Sequence, residues 1–160
     1  MLAEIAQKLD RWAVAESASA RADGLRGFRP CRIRLLGQMA LFELGVSATL
    51  PLTATNDVEV HANYEHAMRQ EFARLLSAKG KTLDPLGDEV WMPTETTYVT
   101  MYRGELVQLE VADLESVLLS KALKAPRKNG PLITAYLASR PSQRFMQLAR
   151  RYRLDLEQFL

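Results

Sequence analysis

The chain contains 160 residues, 48% of them apolar and 25% charged, and its 21 basic and 19 acidic residues leave a net charge of +2. This composition is typical of one globular domain and excludes disordered and collagen-like classes, while so small a net charge gives no general argument for binding nucleic acid or membranes. The lone cysteine excludes an internal disulfide, and no apolar run reaches the roughly 18 residues of a membrane span, so we expect a cytoplasmic protein.

Helical and strand patterns alternate along the first half of the chain. Leu2, Ile5, Leu9 and Trp12 recur at helical spacing, which predicts an amphipathic helix that fades over Ser17–Ala22. The next predicted elements are a strand at 33–36 ending at Gly37, a helix at 39–44, a strand carrying Asp57 and Glu59 to about His61, and a helix over 68–76 that Gly80 ends.

The second half of the chain predicts a hairpin followed by three helices. Asp113 has the residue type and position of a helix cap, and Pro126 stops the helix that follows it. The predicted elements are strands at 96–102 and 105–111 joined at Arg103-Gly104, and helices from Leu114 to about Lys124, from Gly130-Pro131, and from Ser139 with Pro141.

This order of elements predicts an α/β (α+β) fold, with a small mixed β-sheet backed by helices and a helical C-terminal tail. We expect a single domain over residues 1–160. Within it, 1–30 form an N-terminal helix and connection, 31–128 form the core, and 129–160 form the C-terminal helices.

The alternation Asp57-Val58-Glu59-Val60 places two carboxylates on one face of a strand and two valines on the other. Two such carboxylates, with a third from a neighbouring strand, can hold two divalent ions about 3.5 to 4 Å apart, as nucleotidyl transfer requires. Glu110, near the end of the last predicted strand, is the candidate third carboxylate. An ordinary half-buried strand shows the same alternation, and Glu110 taken alone is more readily explained as a solvent-facing residue.

Positive charge suited to a triphosphate is concentrated in segment 121–128, which contains Lys121, Lys124, Arg127 and Lys128. Helical spacing places Lys121 on the apolar stripe of its helix, so its stem is expected to be buried while its ammonium reaches a polar group. That group can be a phosphate, a carboxylate or water at the helix end. Lys124 is expected to be solvated.

Several short motifs follow one another in a recognisable order. They are Gly37-Gln38-Met39-Ala40, Gly45, Thr55-Asn56-Asp57-Val58-Glu59-Val60, the strand ending at Glu110, the helix from Leu114 to Lys121, and Arg127-Lys128. In order and spacing they resemble the DNA polymerase beta-type nucleotidyltransferase superfamily, and most closely its small bacterial members related to abortive-infection toxins. The resemblance covers roughly residues 32 to 130.

This resemblance implies a metal-dependent transferase of a toxin–antitoxin setting, with Mg²⁺ or Mn²⁺ as cofactor. It would move a nucleoside monophosphate from a nucleoside triphosphate to a hydroxyl of RNA, protein or a small molecule. The resemblance implies that Asp57, Glu59 and Glu110 hold the metal ions and carry the catalysis. The implied nucleotide-binding residues are Gly37, Gln38, Thr55, Lys121, Arg127 and Lys128.

The chain departs from the superfamily pattern at several positions. Gln38 stands where Gly or Ser is usual, Thr53 where an Arg often precedes the Thr, and Asn129 where an Asp often follows Lys. Glutamate at both Glu59 and Glu110 also lengthens two ligand arms. The alternative is therefore a catalytically inactive protein of the same fold that binds nucleic acid or a protein partner.

The C-terminal segment gathers the residues Arg140, Arg144, Arg150, Arg151 and Arg153, with Phe145 and Tyr152 between them. An amphipathic helix with a solvated basic side explains this pattern directly. A surface for RNA is the alternative, because phosphate recognition depends on clustered arginine and lysine.

Overall fold

A five-stranded mixed sheet lies at the centre of the computed structural model, which describes residues 1–160. The strands are β1 (Cys31–Leu36), β2 (Asp57–Ala62), β3 (Thr82–Leu83), β4 (Tyr98–Arg103) and β5 (Val107–Ala112), in the spatial order β3-β2-β1-β5-β4. β1 runs antiparallel to β2 and parallel to β5, while β4 and β5 form an antiparallel hairpin. A mixed sheet accompanied by helices confirms the predicted α+β fold class.

Six α-helices surround the sheet. They are α1 (Leu2–Ala22), α2 (Gly37–Glu43), α3 (His66–Ser77), α4 (Leu114–Lys124), α5 (Gly130–Ala138) and α6 (Gln143–Arg151). Asp113 caps α4 as predicted, since its carboxylate accepts a 3.0 Å hydrogen bond from the Ser116 N–H. None of these helices combines the length and apolar character that a membrane crossing requires.

The two faces of the sheet differ in polarity, because successive residues of a strand point to opposite sides. One face is apolar and buried, and α1 packs on it beside α3; its side chains are Cys31, Ile33, Leu35, Val58, Val60, Val107, Leu109 and Val111. The other face is polar, with Arg32, Arg34, Asp57, Glu59, His61, Gln108 and Glu110. Helices α2 and α4 meet at the end of this polar face, where β1 leads into α2.

Two predicted helix boundaries were wrong. α1 does not fade over Ser17–Ala22, because Ser17 is buried and its hydroxyl accepts a 2.9 Å hydrogen bond from the Phe28 N–H. The last helix begins at Gln143 rather than at Ser139 with Pro141. There the Ser142 hydroxyl accepts a 3.0 Å hydrogen bond from the Phe145 N–H and so acts as the N-cap.

The hairpin and the sheet edge also differ from the prediction. The β4–β5 loop spans residues 104–106 rather than Arg103-Gly104, because the Asp10 carboxylate accepts hydrogen bonds from the N–H groups of Glu105, Leu106 and Val107. The two-residue strand β3 was not predicted. It pairs with the first residues of β2 and contains too few residues to show a periodicity.

Candidate anion-binding site

A small cleft lies where β2, the start of α2 and the C-terminal half of α4 meet. Its volume is about 80 Å³. The residues that line it include Gly37 and six polar ones, namely Glu59, Ser120, Lys121, Lys124, Lys128 and Asn129. With three lysines and one glutamate, the cleft carries an excess of positive charge. We call it the lysine cleft.

The lysines of this cleft have no ion-pair partner in the chain, since none of its six ion pairs involves Lys121, Lys124 or Lys128. Burial lowers the pKa of Lys121, and Lys128 and Lys124 lower it further. Glu59 acts in the opposite direction and raises that pKa, which places its charge near the ammonium. The protein therefore holds a half-buried ammonium whose charge is only partly compensated, as a site for an anion requires.

Gly37 permits the close approach of Glu59 to the start of α2. Its φ of +65° is a backbone conformation that side-chain-bearing residues rarely adopt. A Cβ atom at this position would lie 2.8 Å from Glu59 Oε2. A glycine is thus required both for the turn that leaves β1 and for the position of the Glu59 carboxylate.

Asn129 fixes the other wall of the lysine cleft. Its Nδ2 donates hydrogen bonds to the carbonyl oxygens of Lys121, at 2.9 Å, and Ala125, at 3.1 Å. Asn129 therefore satisfies carbonyl groups at the end of α4, which a helix leaves without partners. An aspartate has no N–H to donate at this point.

The three predicted metal ligands do not meet. Asp57 is exposed at the start of β2, and Glu59 lies on the same face and lines the lysine cleft. In the strand register Glu59 is opposite Leu36, whereas Glu110 is beside Arg34. With strands about 4.8 Å apart and about 3.3 Å per residue, this register separates the α-carbons of Glu59 and Glu110 by about 12 Å.

Glu110 is instead engaged by arginines on the polar face. Its Oε1 lies 2.8 Å from Arg32 Nε and 3.7 Å from Arg34 Nε, and the Arg34 guanidinium lies 4.1 Å from the centre of the Tyr98 ring. Neither Glu110 Oε1 nor Arg34 Nε has a well-directed hydrogen bond, so the cluster is held by charge and by stacking. A metal ion would need the negative charge of the Glu110 carboxylate, and the two arginines already compensate that charge.

A two-metal site does not fit the residues that are present. Continuing the β1–β5 register by one residue brings Ala112, and not a carboxylate, level with Leu36 and Glu59. No group of three or more His, Cys, Asp or Glu residues is arranged to hold a metal ion. The polar face therefore has no third carboxylate at the position nearest the lysine cleft.

The other predicted nucleotide-binding residues divide into two groups. Gly37, Lys121 and Lys128 line the lysine cleft, whereas Gln38, Thr55 and Arg127 do not. The Gln38 amide donates a 2.8 Å hydrogen bond to the Thr53 carbonyl oxygen. The Thr55 hydroxyl accepts a 3.1 Å hydrogen bond from the Asp57 N–H and so shapes the start of β2.

Two residues of the lysine cleft were missed by sequence reasoning. Lys124 is exposed, as expected, but it also lines the cleft, and Asn129 lines it while its side chain holds the end of α4. The spacing of Lys121 and Lys124 by three residues was the available signal, because residues so spaced are neighbours on a helix surface, whereas Lys128 lies beyond the end of α4 at Lys124.

Two of the five arginines of the C-terminal segment, Arg144 and Arg151, form ion pairs within the chain. Arg144 lies 3.3 Å from the Asp113 carboxylate and donates to the Glu95 carbonyl oxygen at 2.9 Å. Arg151 pairs with the Glu95 carboxylate at 2.8 Å. Arg144 is therefore not part of a solvated basic side, and these pairs attach α6 to the segment before β4 and to the start of α4.

Comparison with protein-family models, with curated proteins and with solved structures finds no match to this chain.

Proposed function

We propose that this chain binds a nucleoside triphosphate in the lysine cleft, through its phosphate groups, and does so without a metal-dependent transfer step. The observation that carries the proposal is the group of three lysines, none of them paired within the chain, around a partly buried cleft. Phosphate oxygens are strong acceptors for lysine ammonium groups, and their charge would compensate the desolvated Lys121.

The size of the cleft limits what it can enclose. A volume of about 80 Å³ corresponds to a few water molecules, each of which takes about 30 Å³ in the liquid. Phosphate groups are of this scale, while a whole nucleotide is not. The sugar and base of a bound nucleotide would therefore extend beyond the lysine cleft.

Transfer of a nucleoside monophosphate to a hydroxyl acceptor, RNA or protein among them, is the second candidate. It is favoured by Asp57 and Glu59 lying on one face of β2 beside the cleft. The missing third carboxylate makes this candidate weaker than metal-free binding, because two carboxylates alone provide an incomplete ligand set for paired metal ions.

The test is a calorimetric titration of the chain with ATP, first with EDTA and then with Mg²⁺. We expect binding in EDTA that weakens at high salt, because two of the three lysines, Lys124 and Lys128, are exposed. Lys121→Ala should abolish this binding, while the control Lys79→Ala, at an exposed lysine outside the cleft, should leave it unchanged. Binding that requires Mg²⁺ and is lost in Asp57→Ala would favour the transferase instead.

A further inference from the structure

A second cavity, of about 360 Å³, lies beside the lysine cleft. Its walls include Trp91, Leu123 and Tyr152. Its volume falls within the range of small-ligand pockets, roughly 300–1,000 Å³. Trp91, Leu123 and Tyr152 do not line the lysine cleft, and we call this second space the aromatic cavity.

The aromatic cavity exposes apolar surface that the fold leaves uncovered. The Trp91 residue is 46% exposed and Leu123 is 37% exposed. Tryptophan is usually covered over most of its surface, because burying so large an apolar side chain is strongly favourable. An exposed indole next to an exposed leucine, in a concave site, is the arrangement that a planar apolar ligand would cover.

The walls of this cavity are held in place before any ligand arrives. The Trp91 and Tyr152 rings meet edge to face, with centroids 5.2 Å apart and planes at 75°. The Tyr152 hydroxyl donates a hydrogen bond to the Glu95 carboxylate, and the Ser120 hydroxyl donates one to the Trp91 carbonyl oxygen. Binding to such a fixed surface loses little conformational entropy.

The aromatic cavity and the lysine cleft are contiguous. Ser120 and Lys124 line both of them, and the neighbouring residues Trp91 and Met92 line one each. A ligand with phosphates among the lysines can therefore place an attached ring system against Trp91. Nucleotides combine these two parts, and stacking of a base on an aromatic side chain is a common means of binding them.

We infer that the aromatic cavity is the nucleobase subsite of this protein, with the base stacked on Trp91 between Leu123 and Tyr152. This inference depends on the phosphate-binding function proposed for the lysine cleft. It adds that the ligand is a nucleotide with a heteroaromatic base, so inorganic polyphosphate should bind more weakly than ATP.

The test compares ATP with inorganic tripolyphosphate in EDTA. The chain has two tryptophans, and Trp12 packs on Phe28 with ring centroids 5.4 Å apart, so Trp12→Phe makes Trp91 the sole indole fluorophore. In this variant we expect ATP to quench the fluorescence and to bind about tenfold more tightly than tripolyphosphate, given the usual worth of one stacked base.

Calorimetry on the Trp91→Leu variant then tests whether Trp91 is the source of the preference for ATP. The variant should lose the preference for ATP and keep its affinity for tripolyphosphate. Leu123→Gln, at an exposed position of the same wall, should also reduce the preference, and it serves if Trp91→Leu does not fold.

Three outcomes would overturn the base subsite. Equal binding of ATP and tripolyphosphate without quenching would remove it and leave the lysine cleft as proposed. Equal weakening of both ligands in Trp91→Leu would show that Trp91 supports the fold rather than a base. Failure of both ligands to bind would overturn the subsite together with the proposed function.

Discussion

The Nε atom of Arg32 lies 2.8 Å from Oε1 of Glu110, so a carboxylate predicted to bind metal instead neutralises an arginine on a neighbouring strand. Glu110 is only 7% exposed, and a carboxylate so enclosed needs a counter-charge. The arginines of β1 supply it. The pair leaves Glu110 engaged with arginine rather than free to bind a metal ion.

Glu110→Gln should therefore change stability and not ligand binding. We expect the free energy of unfolding in urea to fall by about 1 to 2 kcal/mol, because Arg32 and Arg34 lose their shared counter-charge. The affinity for ATP, measured by calorimetry, should be unchanged. Loss of ATP binding at unaltered stability would instead return Glu110 to the ligand site.

Gly37→Ala should weaken ATP binding as well as stability. The positive φ alone should lower stability by about 1 to 2 kcal/mol, and the new Cβ would displace Glu59 and with it the wall of the lysine cleft. Gly45→Ala is the matched control, because Gly45 also has a positive φ of 74° but a Cβ atom added there would meet no other atom within 4 Å. Equal loss of ATP affinity in both variants would contradict the role assigned to Gly37.

Asp10→Ala should be among the most destabilising single substitutions. Asp10 Oδ1 accepts hydrogen bonds from the N–H groups of Leu106, at 2.7 Å, and Val107, at 2.9 Å, and its removal would leave both donors buried without partners. Two such losses lower the free energy of unfolding by about 2 to 6 kcal/mol. Thermal and urea unfolding measure the change. The control is Asp23→Ala, at an exposed position after α1. Equal effects of the two substitutions would refute the role of Asp10 in holding the hairpin loop.

Helices with a clear apolar stripe could be predicted from sequence, and elements fixed by distant contacts could not. The spacing of Leu2, Ile5 and Leu9 predicted α1, and all three are buried. The hairpin loop, by contrast, depends on Asp10, which lies more than ninety residues earlier in the chain. A single polar residue inside a helix shows no sequence signal for a partner so remote.

The candidate site was predictable only where its residues belong to local sequence patterns. Gly37, Glu59 and Lys121 follow from local patterns, and the structure brings them together in the lysine cleft. The placement of Glu110 depends on β1 lying between β2 and β5, and local alternation contains no information about strand order. The exposed Trp91 could not be distinguished from a core aromatic without the fold.

Lys121→Met should stabilise the protein while abolishing ATP binding. Burial lowers the pKa of Lys121, so between that pKa and the ordinary lysine value the unfolded chain binds more protons and stability rises with pH. Below the lowered pKa the full unfavourable effect of burying the charge is present. At neutral pH the substitution should therefore add about 1 kcal/mol to the free energy of unfolding and remove the rise in stability at alkaline pH. If urea titrations of Lys121→Met still show stability rising at alkaline pH as in the unmodified chain, Lys121 is not the source of that rise.

Glu59→Gln should change ATP binding in opposite directions at a metal-free anion site and at a metal site. Glu59 is the one carboxylate among the residues lining the lysine cleft, and its removal should strengthen ATP binding in EDTA by about tenfold, because a like charge near the phosphates is lost. A metal-dependent site would instead lose binding or activity when this carboxylate is removed.

The pH dependence of the same variant gives a second, independent measurement. Glu59 raises the pKa of Lys121, so Glu59→Gln should lower that pKa and move the alkaline loss of ATP binding to a lower pH. Asp57→Asn is the control, because Asp57 shares the strand face of Glu59 but does not line the cleft. Weaker ATP binding in Glu59→Gln, together with a matching loss in Asp57→Asn under Mg²⁺, would favour transferase chemistry over metal-free binding.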